Sequence, residues 1–194
     1  TGWVEAGFDL FNADDTYTKF MTEHWEDVKV GGLAIQTGGT AADPTFTDGI
    51  LGNLGAYYFS NTSDNEVWFE VQLPHAYVEG SDIEPHIHWM PTTAGTGTVE
   101  WCLEYSWSNV NGTFPTSTTI TGTGTAGGTA FEHLLTGLGA TAIDGTNKTV
   151  SSVLLCRLYR DVSEDTYAAP AALVSMDFHV KVNSIGSDQE TSKS

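Results

Sequence analysis

The run EVWFEVQLPHAYVEGSDIEPHIHWMP, residues 66–91, decides the fold. In its first half Val67, Phe69, Val71 and Leu73 alternate with Trp68, Glu70 and Gln72, the period of two that sends successive side chains to opposite faces of a strand. In its second half Ile87 and Trp89 alternate with His86, His88 and Met90. The connection between the halves is polar and contains proline. Each half therefore predicts a strand with one face buried on a core.

The same reading extends in both directions. Residues 98–108 alternate most cleanly, with Val99, Trp101, Leu103, Tyr105 and Trp107 on the core side and Glu100, Cys102, Glu104, Ser106 and Ser108 opposite. Residues 28–36 predict a first strand bent at Gly31-Gly32, and residues 54–60 a second. Between them, Gly38-Gly39, Asp43-Pro44 and Asp48-Gly49 mark a loop. The threonine and glycine tract 113–129 predicts a strand near 117–121 and then a long exposed loop, with another short strand at 131–135. Residues 151–161 are apolar on both faces, which predicts a central strand covered on two sides. In 172–183, Val174, Met176, Phe178, Val180 and Val182 are expected inward, and Ser175, Asp177, His179 and Lys181 outward.

Eight or nine strands with almost no helix predict an all-β fold, a two-sheet antiparallel β-sandwich of jelly-roll type. Residues 28–183 are expected to form this domain. Residues 1–27 read as an aromatic arm or short helix, with weak helical spacing over 16–26, and residues 184–194 as a polar, disordered tail.

Composition narrows the function classes. With 25 acidic residues against 7 basic ones, a net charge of −18, the chain has too few lysines and arginines to displace counterions from phosphates, so neither nucleic acid nor an anionic membrane is expected as a partner. No apolar run is long enough for a transmembrane helix. The amino end, Thr1-Gly2-Trp3-Val4-Glu5, lacks the basic-then-apolar pattern of a signal peptide. Cys102 and Cys156 fall on different faces of their predicted strands, so two free thiols are expected, as in a reducing compartment.

Candidate chemistry centres on three histidines. His86 and His88 project from one strand face and could chelate a metal, and His179, with Asp177 near it in sequence, could supply a third ligand of the kind zinc or iron accepts. The spacing resembles the first cupin motif, whose HxH pair is followed closely by glutamate; here the next carboxylate is Glu100. The bland alternative places the histidines on an outward sheet face, hydrogen-bonded to Glu100 or Asp177, or in a subunit interface. On this reading there is no cofactor and no catalytic residue. No G-x-S-x-G elbow is present, and neither cysteine has surroundings that would activate a thiol. Glu100, Glu104 and Asp177 offer carboxylates for glycoside hydrolysis only by abundance, and Trp68 is an outward aromatic that could stack on a sugar.

The segments Trp25-Glu26-Asp27-Val28, VQLPHAYVEGSDIEPHIHW, EWCLEYSW, SSVLLCRLYRD and SMDFHVKV together resemble a group of small virion proteins of tailed bacteriophages, over residues 25–186. The resemblance implies a structural virion component assembled in the host bacterial cytoplasm, and the type it fits best is a capsid decoration, or cement, protein. Its implied partners are the major capsid protein, other virion proteins and its own copies, a trimer above all. A tail or fibre module that binds host carbohydrate is the alternative, and a cupin-like metal-dependent enzyme the second.

Overall fold

The computed structural model describes residues 23–193, which contain ten strands and no helix. In chain order the strands are β1 (His24–Gly31), β2 (Thr45–Thr47), β3 (Ala56–Phe59), β4 (Glu66–Gln72), β5 (Glu84–Pro91), β6 (Thr96–Ser108), β7 (Thr118–Gly127), β8 (Leu134–Gly137), β9 (Val153–Arg160) and β10 (Ala171–Val182). One sheet runs β1, β10, β5, β8, with β3 taking over the same edge of β10 where β1 leaves it and β2 lying outside β3. The other sheet runs β4, β9, β6, β7. Every strand pairing is antiparallel. With β2 and β3 set aside, these two orders are those of a jelly roll, two Greek keys wrapped into a double sheet.

The inward residues of the two sheets meet in one core. Phe59, Val67, Ile87, Trp89, Trp101 and Phe178 are fully buried there, and the rings of Phe59 and Trp89 stand edge-on to Trp101 at 5.2 and 6.1 Å. The Trp89 indole donates to Thr136 Oγ1 at 2.9 Å, so its one polar atom is satisfied inside the core. The predicted inward and outward faces of β4 and β5 are the observed ones. Cys102 and Cys156 are both free and buried.

Several expectations change. The predicted helical spacing over 16–26 lies mostly outside the described residues, as do residues 1–22 of the expected arm; His24, Trp25 and Glu26 are strand, paired with Val182, Lys181 and Val180. β1 ends at Gly31 because the next residue must pass close to β10: a Cβ on Gly32 would sit 2.5 Å from the Val174 carbonyl oxygen. β2 arises inside the expected 37–53 loop, as a three-residue edge strand between the two Asp-containing turns. The 184–193 segment, expected to be disordered, is tied to the β4–β5 connection: Lys193 Nζ donates to the Ala76 carbonyl at 2.8 Å.

The largest departure is β7, which runs on through the glycines expected to form a loop. Thr121, Thr123 and Thr125 face solvent while Gly122 and Gly124 face inward. The inward glycines let β7 lie directly on β8. A Cβ on Gly122 would overlap the Gly137 carbonyl, and one on Gly124 would lie 2.5 Å from Thr136 Oγ1 and 2.7 Å from the Trp89 ring. Alternation is therefore intact, but its apolar half is written in glycine.

Gly124→Ala tests this packing. The methyl group gains roughly 0.5–1 kcal/mol in strand entropy, yet overpacking beside a hydrogen-bonded tryptophan costs about 1–3 kcal/mol. A net fall in Tm of several degrees is expected in thermal denaturation, while Gly127→Ala, whose nearest neighbour would be 3.8 Å away, leaves Tm unchanged or higher.

Candidate functional site

The outward face of the six-stranded sheet carries the sequence-predicted histidines, and strand register sets their neighbours. Across β5 and β10, Asp177 stands opposite His86 and His179 opposite Glu84. Across β10 and β1, Asp27 stands opposite His179 and Lys29 opposite Asp177. Outward side chains on paired strands lie about 4.5–5.5 Å apart at Cβ, close enough for each row to interact.

The histidines divide into two groups. His88 Nε2 lies 2.7 Å from Asp177 Oδ2, and His88 Nδ1 lies 2.7 Å from His133 Nε2. His88 is thus held between a carboxylate and a second imidazole. His86 and His179 instead turn to each other, ring centroids 5.2 Å apart. His86 Nδ1 is 3.5 Å from Asp177 Oδ1, and His179 Nε2 is 3.3 Å from Asp27 Oδ1. With Glu84 they form the one group among the described residues whose donor atoms all lie within 4.8 Å and could hold a metal. Trp25 packs on His179, its ring centroid 5.3 Å away.

The three histidines proposed from sequence therefore do not converge as one set. The third donor of the compact group is Glu84, two residues before His86 on the same face, where the cupin pattern places its glutamate after the histidines. Its signal was in the sequence as Glu84-x-His86. His133 had none, because the segment before β8 reaches this face only through the fold. Asp177, 3% exposed, accepts from this face, but Glu100 lies on the other sheet, where its Oε2 accepts from Thr123 Oγ1 at 2.6 Å.

The outward face of the four-stranded sheet holds a groove of about 670 Å³ lined by Gln36, Trp68, Glu104, Ser106, Leu155 and Arg157 among others. Its floor includes β9, whose outer side was expected to be covered; Leu155 is 48% exposed because, among the described residues, no layer lies over this sheet. Arg157 is fixed between Glu66 and Glu104 and lies over the Tyr159 ring at 4.3 Å. The Ser117 hydroxyl, followed by Arg157, holds the Glu104 carboxyl below its ordinary pKa, so Glu104 is an acceptor rather than an acid. Glu100 and Glu104, four residues apart on a strand, have Cα atoms about 13 Å apart, and Asp177 belongs to the opposite sheet, so the three carboxylates do not pair as in a glycosidase.

No protein-family model matches the sequence, and no curated protein matches it. Among solved structures, the chain is similar to the CBM22-1–GH10 modules of Clostridium thermocellum endo-1,4-β-D-xylanase 10B complexed with xylohexaose, at 13% identity, 85% coverage of this chain, 27% of that chain and a TM-score of 0.35. This likeness is too slight to carry a functional argument.

Both cysteines are buried, and Cys156 borders the groove. Burial pushes the Cys102 thiol up to about 11 and the Cys156 thiol up to about 12. At pH 8 iodoacetamide should therefore alkylate them roughly a hundredfold or more slowly than an ordinary thiol, with the rate rising as pH approaches 11. Intact-mass measurement of native and urea-unfolded protein checks this; rapid native labelling would contradict it.

Proposed function

We propose that the chain is a structural protein of a tailed-bacteriophage virion, a capsid decoration protein that stabilises the head by packing against the major capsid protein and against its own copies in a trimer. The motif resemblance over residues 25–186 supports the virion class. The observation that carries the mode of action is an apolar patch beside the histidine face. Leu33, Leu51, Leu54 and Val174, 66, 53, 65 and 42% exposed, surround a shallow hollow of about 210 Å³. Such side chains gathered round one hollow mark a protein contact.

Charge makes the location significant. The chain carries −18 overall, and most of its surface would repel a second copy or an acidic partner. No charged residue lines this hollow. It is where the protein can meet a neighbouring subunit without bringing carboxylates together, and a stable contact would extend from it to about 1,000 Å² or more. Two buried free thiols suit assembly in the reducing bacterial cytoplasm.

The groove on the other sheet favours a second reading, a tail or fibre module binding host carbohydrate. It combines the Trp68 ring with fixed polar groups, Glu104 and Arg157, as sugar recognition requires.

Two measurements separate the readings. Leu51→Asp combined with Leu54→Asp should fold normally, since both side chains are exposed, yet fail to cosediment with heads lacking the protein; undiminished occupancy refutes the decoration reading. Trp68→Ala should leave head binding unchanged. In the second reading it instead abolishes retention on immobilised host glycans, and a wild-type chain that retains no glycan removes that reading.

A further inference from the structure

We infer that Glu84, His86 and His179 form a binding site for one divalent transition-metal ion of zinc type, which fastens β5 to β10 on the outer face of the six-stranded sheet. Two imidazoles and a carboxylate are a donor set that zinc accepts and that calcium or magnesium, which prefer oxygen, do not. The three donor atoms lie within 4.8 Å of one another. Ligands at about 2.0–2.2 Å around a tetrahedral ion are roughly 3.4 Å apart, so the free site needs only a small inward movement.

The surroundings match what holds a metal-binding histidine in place. Each imidazole has one nitrogen toward a carboxylate, His86 toward Asp177 and His179 toward Asp27, and an ion bound through the other nitrogen would keep both contacts. Carboxylates in this position set the tautomer and orientation of the ligand ring. Asp177 supplies an independent indication. It is 3% exposed, yet its Oδ1 has no hydrogen-bond partner, a condition that buried carboxylates rarely tolerate. That oxygen faces His86 Nδ1 at 3.5 Å. Drawing His86 onto a metal and fixing its Nδ1–H toward Asp177 would satisfy it.

Space and charge agree. A hollow of about 170 Å³ adjoins Glu84 and His86, bounded by Gly137 and the segment after it. Gly137 stands opposite His86 in the β5–β8 register. The hollow gives water access to Glu84 and His86 from the β8 side. Glu84 is exposed, and no hydrogen bond to another described residue holds its side chain, so the carboxylate can turn inward. Asp27, Asp177 and Glu84 outnumber the two cations on the neighbouring outward positions, Lys29 and Lys181, and a divalent ion redresses that balance.

The test uses the full chain, stripped with a chelator, titrated with zinc chloride by calorimetry and melted with and without zinc. One ion per chain is expected, with Tm rising by roughly 5–10 °C at a hundredfold excess over Kd. Glu84→Gln should weaken binding at least tenfold while leaving the metal-free Tm unchanged. His179→Gln should abolish binding, and Asp177→Asn should weaken it about 10–100-fold. His133→Gln should bind as wild type. Absence of saturable binding overturns the inference. So does wild-type affinity in Glu84→Gln and His179→Gln, or loss of binding in His133→Gln, which would move the ion to the His88 group.

Discussion

The pairing of β10 is the constraint on which the rest of the structure depends. One strand of twelve residues serves three partners, β5 along one side and β1 then β3 along the other. It can do so only with a break in its own register. Leu173 stands opposite Trp89 and Ser175 opposite His88, so Val174 is an extra residue without a partner on β5. Before this bulge Ala171 and Leu173 face the core; after it Met176, Phe178 and Val180 do. Because side chains alternate with a period of two, a slip of one residue exchanges the faces. The bulge therefore places Asp177 and His179 outward beside His86 and Glu84, and leaves Val174 exposed at the edge of the apolar patch.

A second constraint closes one end of the barrel-like core. Arg160, with no exposed surface, is paired with Asp165 and donates to the carbonyls of Phe59, Tyr167 and Ala169. Asp165 in turn accepts from the Glu100 amide at 2.6 Å. One guanidinium thus joins β9, β3 and the β9–β10 connection. Burying such a pair yields little net stability, but leaving either partner alone costs about 3–5 kcal/mol. Its effect is to fix where the connection runs, and hence where β10 begins.

How much of this was legible in the sequence depends on what the signal was made of. Where alternation was written in large apolar residues, as in β4, β5 and β6, both strand and face were readable. In β7 the inward positions are Gly122 and Gly124, and glycine looks like a loop until the neighbouring Trp89 and Thr136 explain it. Val174 was assigned inward because a bulge leaves no mark on a sequence whose apolar residues continue on both sides of it. The outer residues Val153, Leu155 and Tyr159 of β9 read as a buried strand, because apolar character alone does not separate a covered face from an open groove. Of the candidate site, His86 and His179 were readable as outward strand residues. Their association with Glu84, and the diversion of His88 to His133, follow from register between distant strands, which a local pattern does not contain.

A jelly roll does not determine a function; its two outer faces do, and here they differ in kind. The four-stranded face ties its cation, Arg157, between two carboxylates beside a groove that also exposes Trp68 and Leu155. The six-stranded face carries imidazoles and carboxylates next to uncharged apolar side chains. For a chain of charge −18, association is opposed by long-range repulsion that salt only partly screens. A contact on the six-stranded face reduces that opposition in two ways: the apolar patch brings no charge, and a cation held by Glu84, His86 and His179 would cancel part of the adjacent negative charge. The inferred metal and the proposed packing surface are then mutually favourable, since an ion that binds the assembled form more tightly must, by linkage, favour assembly by the same factor.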